Sequence, residues 1–78
     1  MYAIYQVNYV VLGTGETREA ALEDARQWMD DEPEIVELHN AADGDIVSVL
    51  CTDELHTEVQ ANGGDVRCEI VEGTLRLK

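Results

Sequence analysis

Apolar residues occupy every odd position from Ala3 to Val11, while Gln6 and Asn8 fall on the other face. A period of two in a block rich in Tyr, Val and Ile predicts one long, half-buried strand over Tyr2 to Leu12. Gly13 and Gly15 are expected to break it. The period then lengthens, with Ala21, Leu22, Ala25, Trp28 and Met29 recurring at helical spacing behind Thr17, a capping residue, and Glu19, which sits near the positive end of the helix dipole. This predicts a helix through Trp28 or Met29 that turns those five side chains toward the sheet. Glu19, Glu23, Gln27 and Asp30 lie along its opposite side.

Beyond Pro33, Ile35 to His39 alternates over a short distance and is expected as a short edge strand. Asn40 to Asp45 has the composition of a turn. Ile46 to Cys51 is nearly continuous in apolar residues, the pattern of a strand covered on both faces, and is placed in the middle of the sheet. Thr52 caps a second helix with Asp53 and Glu54 in its first turn, Leu55 and Val59 as its buried pair, and Asn62, Gly63 and Gly64 as its end. Val66 to Val71, a Glu72-Gly73 turn and Thr74 to Leu77 make a hairpin with Leu75 and Leu77 inward. This order of elements predicts an α+β fold, a two-layer sandwich in which a mixed or antiparallel sheet of four to five strands carries two helices on one face. With 78 residues there is room for one compact domain, residues 1–78, around a modest core.

Charge narrows the function. Seventeen Asp and Glu against five Lys and Arg leave a formal net charge of -12, and no basic residue stands between Arg26 and Arg67. That span holds 11 acids, among them Asp30, Asp31, Glu32, Glu34, Glu37, Asp53, Glu54 and Glu58. Such a chain repels nucleic acid and anionic membranes, both of which need Lys and Arg to displace counterions. The partners left open are basic surfaces, cations or water alone. Glu19 with Glu23, and Glu54 with Glu58, are pairs four residues apart, which sets like charges about 5–6 Å from each other on a helix at a cost of a few tenths of a kcal/mol. A solvated face is one meaning of this pattern. The sharper one is that carboxylates spaced like phosphates imitate nucleic acid and fill a partner's basic groove.

Catalytic chemistry finds little support. The stretch Gly13-Thr14-Gly15-Glu16 lies between a strand and a helix but lacks the further glycines and the Gly-Lys-Ser/Thr ending of a phosphate loop. His39, Cys51, His56 and Cys68 would suffice in number for zinc, yet they are scattered without knuckle spacing. Cys51 and Cys68 sit inside apolar stretches and are read as buried thiols rather than as a disulfide. Cys51 with His56 could act as nucleophile and base, but Cys51 falls within a strand with no oxyanion-hole loop in view. Asp43-Gly44-Asp45 is too short for a calcium loop. The expectation is therefore no enzyme, no metal and no cofactor. No apolar run approaches a membrane span and no signal-peptide pattern opens the chain, so the cytoplasm is its expected place.

Two resemblances add to this reading. The segment Tyr9-Val-Val-Leu-Gly-Thr-Gly-Glu-Thr-Arg-Glu-Ala-Ala-Leu-Glu-Asp-Ala resembles the start of HicB-like antitoxin domains, in which a strand leads through a turn into a Thr-capped helix rich in Glu, Ala and Leu. That likeness implies a small basic toxin as partner. In size, α/β character and unpaired acidity the chain is similar to the small phage-encoded anti-CRISPR proteins, several of which mimic DNA. This second resemblance implies an inhibitory protein in the host cytoplasm that blocks the DNA-binding surface of a CRISPR effector subunit, with Glu19, Glu23, Asp30, Asp31, Glu32, Glu34, Glu37, Asp53, Glu54 and Glu58 as its contact residues. A halophile's housekeeping domain, acidic for reasons of salt alone, is the rival expectation.

Overall fold

The computed structural model describes residues 1–78. Its elements are β1 (Tyr2–Gln6), β2 (Val10–Gly15), α1 (Arg18–Arg26), a single 3-10 turn (Leu38–Asn40), β3 (Ile46–Cys51), α2 (Asp53–Asn62), β4 (Cys68–Val71) and β5 (Thr74–Leu77). The strands form one mixed sheet in the order β2-β1-β3-β5-β4. β1 is antiparallel to both β2 and β3, β3 is parallel to β5, and β4 is antiparallel to β5. The α+β class, the two helices and the central place of Ile46–Cys51 are as the sequence predicts, and of the mixed or antiparallel sheet of four to five strands expected, the chain forms the mixed, five-stranded one.

The first predicted strand is in fact two. Val7 to Tyr9 reverse the chain, with Tyr9 N–H donating to Gln6 O at 2.9 Å and Asn8 held at φ 62, a left-handed conformation that Asn tolerates better than most residues. A continuous apolar pattern thus folds back on itself as a β1–β2 hairpin. Gly13 and Gly15 do not break a strand. They lie within β2, where the lack of a side chain lets α1 approach, and a Cβ on Gly13 would fall 2.5 Å from Ala21 O.

Alternation along β1 and β3 divides the apolar residues between two faces. Ala3, Tyr5, Val47, Val49 and Cys51 join Val11 and Leu75 beneath Leu55 and Val59 of α2. Ile4, with Tyr2 and Ile46 beside it, packs instead against Ala21 and Ala25 of α1. The helices therefore lie on opposite faces of the sheet, not together on one. The reason is local: the small residues of α1 fit only over the glycines of β2, on the Ile4 side. Both helix starts are capped as expected, Thr17 Oγ1 accepting from Ala20 N–H at 3.0 Å and Thr52 Oγ1 from Leu55 N–H at 3.2 Å.

Three further expectations need correcting. α1 ends at Arg26, so Met29 is only partly buried and Trp28, placed in the core by its spacing, is 78% exposed. Ile35 to His39 is not an edge strand: Ile35 makes one bridge to Ile46, and the chain then coils into the 3-10 turn. In the C-terminal hairpin Leu75 is fully buried but Leu77 is exposed. The turn joining its strands has Glu72 at φ 52 and Gly73 at φ 78, the pair of positive angles of a type I′ hairpin. Cys51 is buried and Cys68 partly so, and both are free thiols. No helix is long and apolar enough to cross a membrane.

Candidate functional site

The ten acids singled out by the sequence fall on three parts of the fold. Glu19 and Glu23 ride on α1, Asp30, Asp31, Glu32, Glu34 and Glu37 on the connection from α1 to β3, and Asp53, Glu54 and Glu58 on α2. All are exposed except Glu58, which is intermediate. Since α1 and α2 pack on opposite faces, their acidic sides point away from each other. The acids of α1 and the connection are brought together by Arg26. Its guanidinium donates to Glu23 at 2.9 Å and to both carboxylate oxygens of Glu32 at 2.6 and 2.9 Å. This bidentate bond holds the Glu32 carboxyl below its ordinary range.

Glu32 is thus not without a partner, as its place in a span lacking basic residues suggested. Arg26, at the edge of that span, reaches forward six residues. Glu58 accepts from Asn62 Nδ2 at 3.0 Å, and Glu37 lies 4.0 Å from His39 Nδ1, an ion pair only when that ring is protonated. Glu19, Asp30, Asp31, Glu34, Asp53 and Glu54 have no side-chain hydrogen bond or ion pair within the protein. Their charge is left to solvent or to a partner.

A second feature, invisible in the sequence pattern, is a groove of about 490 Å3 along the outer edge of β2, where α1 and α2 meet around that edge from the two faces. Val10 and Leu12 of β2, Trp28, and Val59 of α2 give it apolar walls, and Asp24, Gln27 and Gln60 a polar side. The polar side is organised around Thr14, a buried residue. Gln60 Nε2 donates to Thr14 Oγ1 at 3.0 Å and to Asp24 Oδ2 at 3.2 Å, and Thr14 N–H donates to the same Oδ2 at 3.1 Å. Thr14 Oγ1 also lies 2.7 Å from His56 Nδ1. The hydroxyl can accept from Gln60 and, according to the imidazole tautomer, either donate to or accept from His56 Nδ1, so each member has a partner.

No reading of helical or strand periodicity would have placed Asp24, Gln60 and Thr14 together, for they lie on three elements. The available signal was Trp28, which follows the last residue able to continue α1 by two positions and precedes four acids and a proline within six. No group of three or more His, Cys, Asp or Glu side chains, Cys51, His56 and Cys68 included, is arranged to hold a metal ion. Burial pushes both thiols above their ordinary 9.0, opposite to the activation a nucleophile requires. Comparison with known protein families, characterised proteins and solved structures finds no match for this chain.

Proposed function

We propose that this chain is an inhibitory binding protein that uses its acidic surface to cover the DNA-binding face of a CRISPR effector subunit. The observation that carries this reading is that six of the ten candidate carboxylates are exposed without a protein partner, on a chain of net charge -12. Within a fold, unpaired like charges destabilise by mutual repulsion and give no compensating contact. Against a basic groove the same charges become complementary, steer the encounter and exclude the phosphates that would otherwise fill it. Asp30, Asp31 and Glu34 are the leading contacts. They lie in one stretch of irregular chain, and removing their charge disturbs no bond of the fold.

The test is a competition. Labelled target duplex is bound to a guide-loaded effector complex, the chain is titrated in, and fluorescence anisotropy reports release of DNA. Displacement that weakens with added salt, and that is lost in the Asp30→Asn, Asp31→Asn, Glu34→Gln triple variant, supports the proposal. Unchanged DNA binding across effectors of different types, with the chain in excess, rejects it.

A further inference from the structure

We propose that the groove beside β2 receives an arginine side chain presented by a protein partner. This assignment rests on the reading that the partner's surface is basic, and it adds a specific anchor to what would otherwise be a diffuse attraction.

Charge is the first argument. Asp24 is the one ionisable residue lining the groove, and it is an acid. Hydrogen-bond capacity is the second. Both amide protons of Gln60 are already given, to Thr14 Oγ1 and Asp24 Oδ2, while no protein donor reaches Gln60 Oε1 or Asp24 Oδ1. The Thr14–Asp24–Gln60 network therefore offers the groove acceptors, while Gln27, also on its lining, adds one amide able to accept or donate. A ligand that brings several N–H groups and a positive charge suits this lining, and the Asp24 charge disfavours phosphate or carboxylate.

Trp28 selects among cations. The sole tryptophan of the chain is 78% exposed at the groove, an unfavourable place for so large an apolar surface unless a partner covers it. An indole face attracts cations, and a planar guanidinium can stack on it while its edge donates to two acceptors at once. A lysine ammonium is a strongly hydrated point charge and cannot do both. Val10, Leu12 and Val59 supply the apolar wall along which the aliphatic stem of an arginine lies.

Trp28 is also the reporter. The full chain is titrated with the capped peptide acetyl-Gly-Arg-Gly-amide, reading Trp28 emission together with the indole and Gln60 side-chain N–H signals by NMR. Lysine and citrulline versions of the peptide serve as comparisons, citrulline keeping the shape of arginine without its charge. We expect a saturable response to the arginine peptide, weaker binding of lysine, and at least about tenfold weaker binding of citrulline, in keeping with the loss of charge-assisted hydrogen bonds. Asp24→Asn should weaken arginine binding and leave citrulline unchanged. Trp28→Leu, at an exposed position that does not threaten folding, should weaken arginine binding as read from the Gln60 signals.

Equal, unsaturable responses to arginine and lysine, centred on Asp30 and Asp31 with the groove signals unmoved, would overturn the assignment. So would emission that shifts with the chain's own concentration in the absence of peptide, because the groove would then belong to a second copy. Arginine binding in the groove without displacement of DNA from any effector would remove the CRISPR reading and leave this site standing. Displacement of DNA that survives Trp28→Leu would do the reverse.

Discussion

Thr14 Oγ1 and His56 Nδ1 lie 2.7 Å apart, joining the edge strand β2 to the second turn of α2. Because Gln60 Nε2 meets the same oxygen, one buried hydroxyl holds two successive turns of that helix. Replacing Thr14 with the isosteric Val keeps the volume, removes the partner of His56 Nδ1 and leaves Gln60 with its bond to Asp24 alone. The expected loss is about 0.5–1.5 kcal/mol, the net worth of an ordinary hydrogen bond, because His56 and Gln60 can both reach water. Urea unfolding should show a lower midpoint with an unchanged slope. A midpoint equal to the parent's would mean that His56 and Gln60 turn to water at no cost.

Gly13 should be among the least replaceable glycines, together with Gly64, where a Cβ would run into the Val11 carbonyl oxygen. A methyl group at Gly13 would overlap the backbone of Ala21 and Ala25, and neither can move without lifting α1 from the sheet. Overpacking against rigid atoms destabilises by about 1–3 kcal/mol or somewhat more, and Gly13→Ala belongs at the top of that range. Gly73→Ala is the control. Nothing lies within 4 Å of a Cβ at Gly73, so the only penalty is its φ of 78, roughly 1 kcal/mol. Thermal unfolding of the two variants side by side should rank Gly13→Ala as much the more damaged.

These residues also show what the sequence carries and what it hides. The two Thr caps, the end of α2 at Gly63, strand β3 and the type I′ hairpin are written in local chemistry, and the chain follows it. The reversal at Asn8 escapes because it uses neither Gly nor Pro and interrupts no apolar run; only the left-handed tolerance of Asn hints at it. Trp28 misleads because it keeps the helical period for two positions after α1 ends, where the chain tightens into three-residue turns, Trp28 N–H donating to Ala25 O at 3.0 Å. The candidate acids are legible as a composition, but their division between two faces depends on which side of the sheet each helix takes. That choice is made by Gly13 and Gly15 meeting Ala21 and Ala25, a contact between elements that no single window displays.

The Glu32 carboxyl should titrate below its ordinary 4.5, because Arg26 bonds its charged form. A carboxyl whose pKa is lowered by folding adds stability that is present above its unfolded value and disappears as pH falls through its folded one. Stability should therefore decline between pH 4.5 and the folded value of Glu32. NMR titration of the Glu32 side chain in the parent and in Arg26→Gln tests this directly. The variant should return Glu32 to the ordinary carboxyl range, and an unchanged titration would show that the ion pair does not persist in solution.

At the alkaline end the sign is opposite. Burial raises Cys51 and Cys68 above 9.0 and Tyr5 above 10.0, so folding favours their neutral forms. That stabilisation is complete below the ordinary values and is lost as pH rises through the folded ones. The thermal midpoint should fall from about pH 9 upward, less steeply in Cys51→Ala. Native alkylation at pH 8 should be slow at Cys51, which is 6% exposed, and faster at the partly buried Cys68. Rapid labelling of Cys51 would contradict its place beneath α2.

Salt separates a charge kept for binding from one kept for a saline cytoplasm. Screening of the unpartnered carboxylates should raise the thermal midpoint, with most of the gain complete near ~0.2 M, where the Debye length drops below about 8 Å. A midpoint that continues to climb into molar potassium chloride would favour the halophile reading over the inhibitor. A fluorescence melting series across salt concentrations distinguishes the two.

The outward amides of β2 are already committed, Thr14 N–H to Asp24 Oδ2 at 3.1 Å and Val11 N–H to the Gly64 carbonyl at 3.0 Å. Between them the extra residue Leu12, left over where the register with β1 shifts, bends the strand. A flat edge with free amides is a template on which further chains can stack into fibrils, and this edge is stoppered at two points and kinked between them. Fibril growth from β2 would first have to detach both Asp24 and Gly64. An apolar β1–β2 hairpin can thus stay dispersed at high concentration, and a mutation at Asp24 would be expected to show itself as aggregation before it showed itself as unfolding.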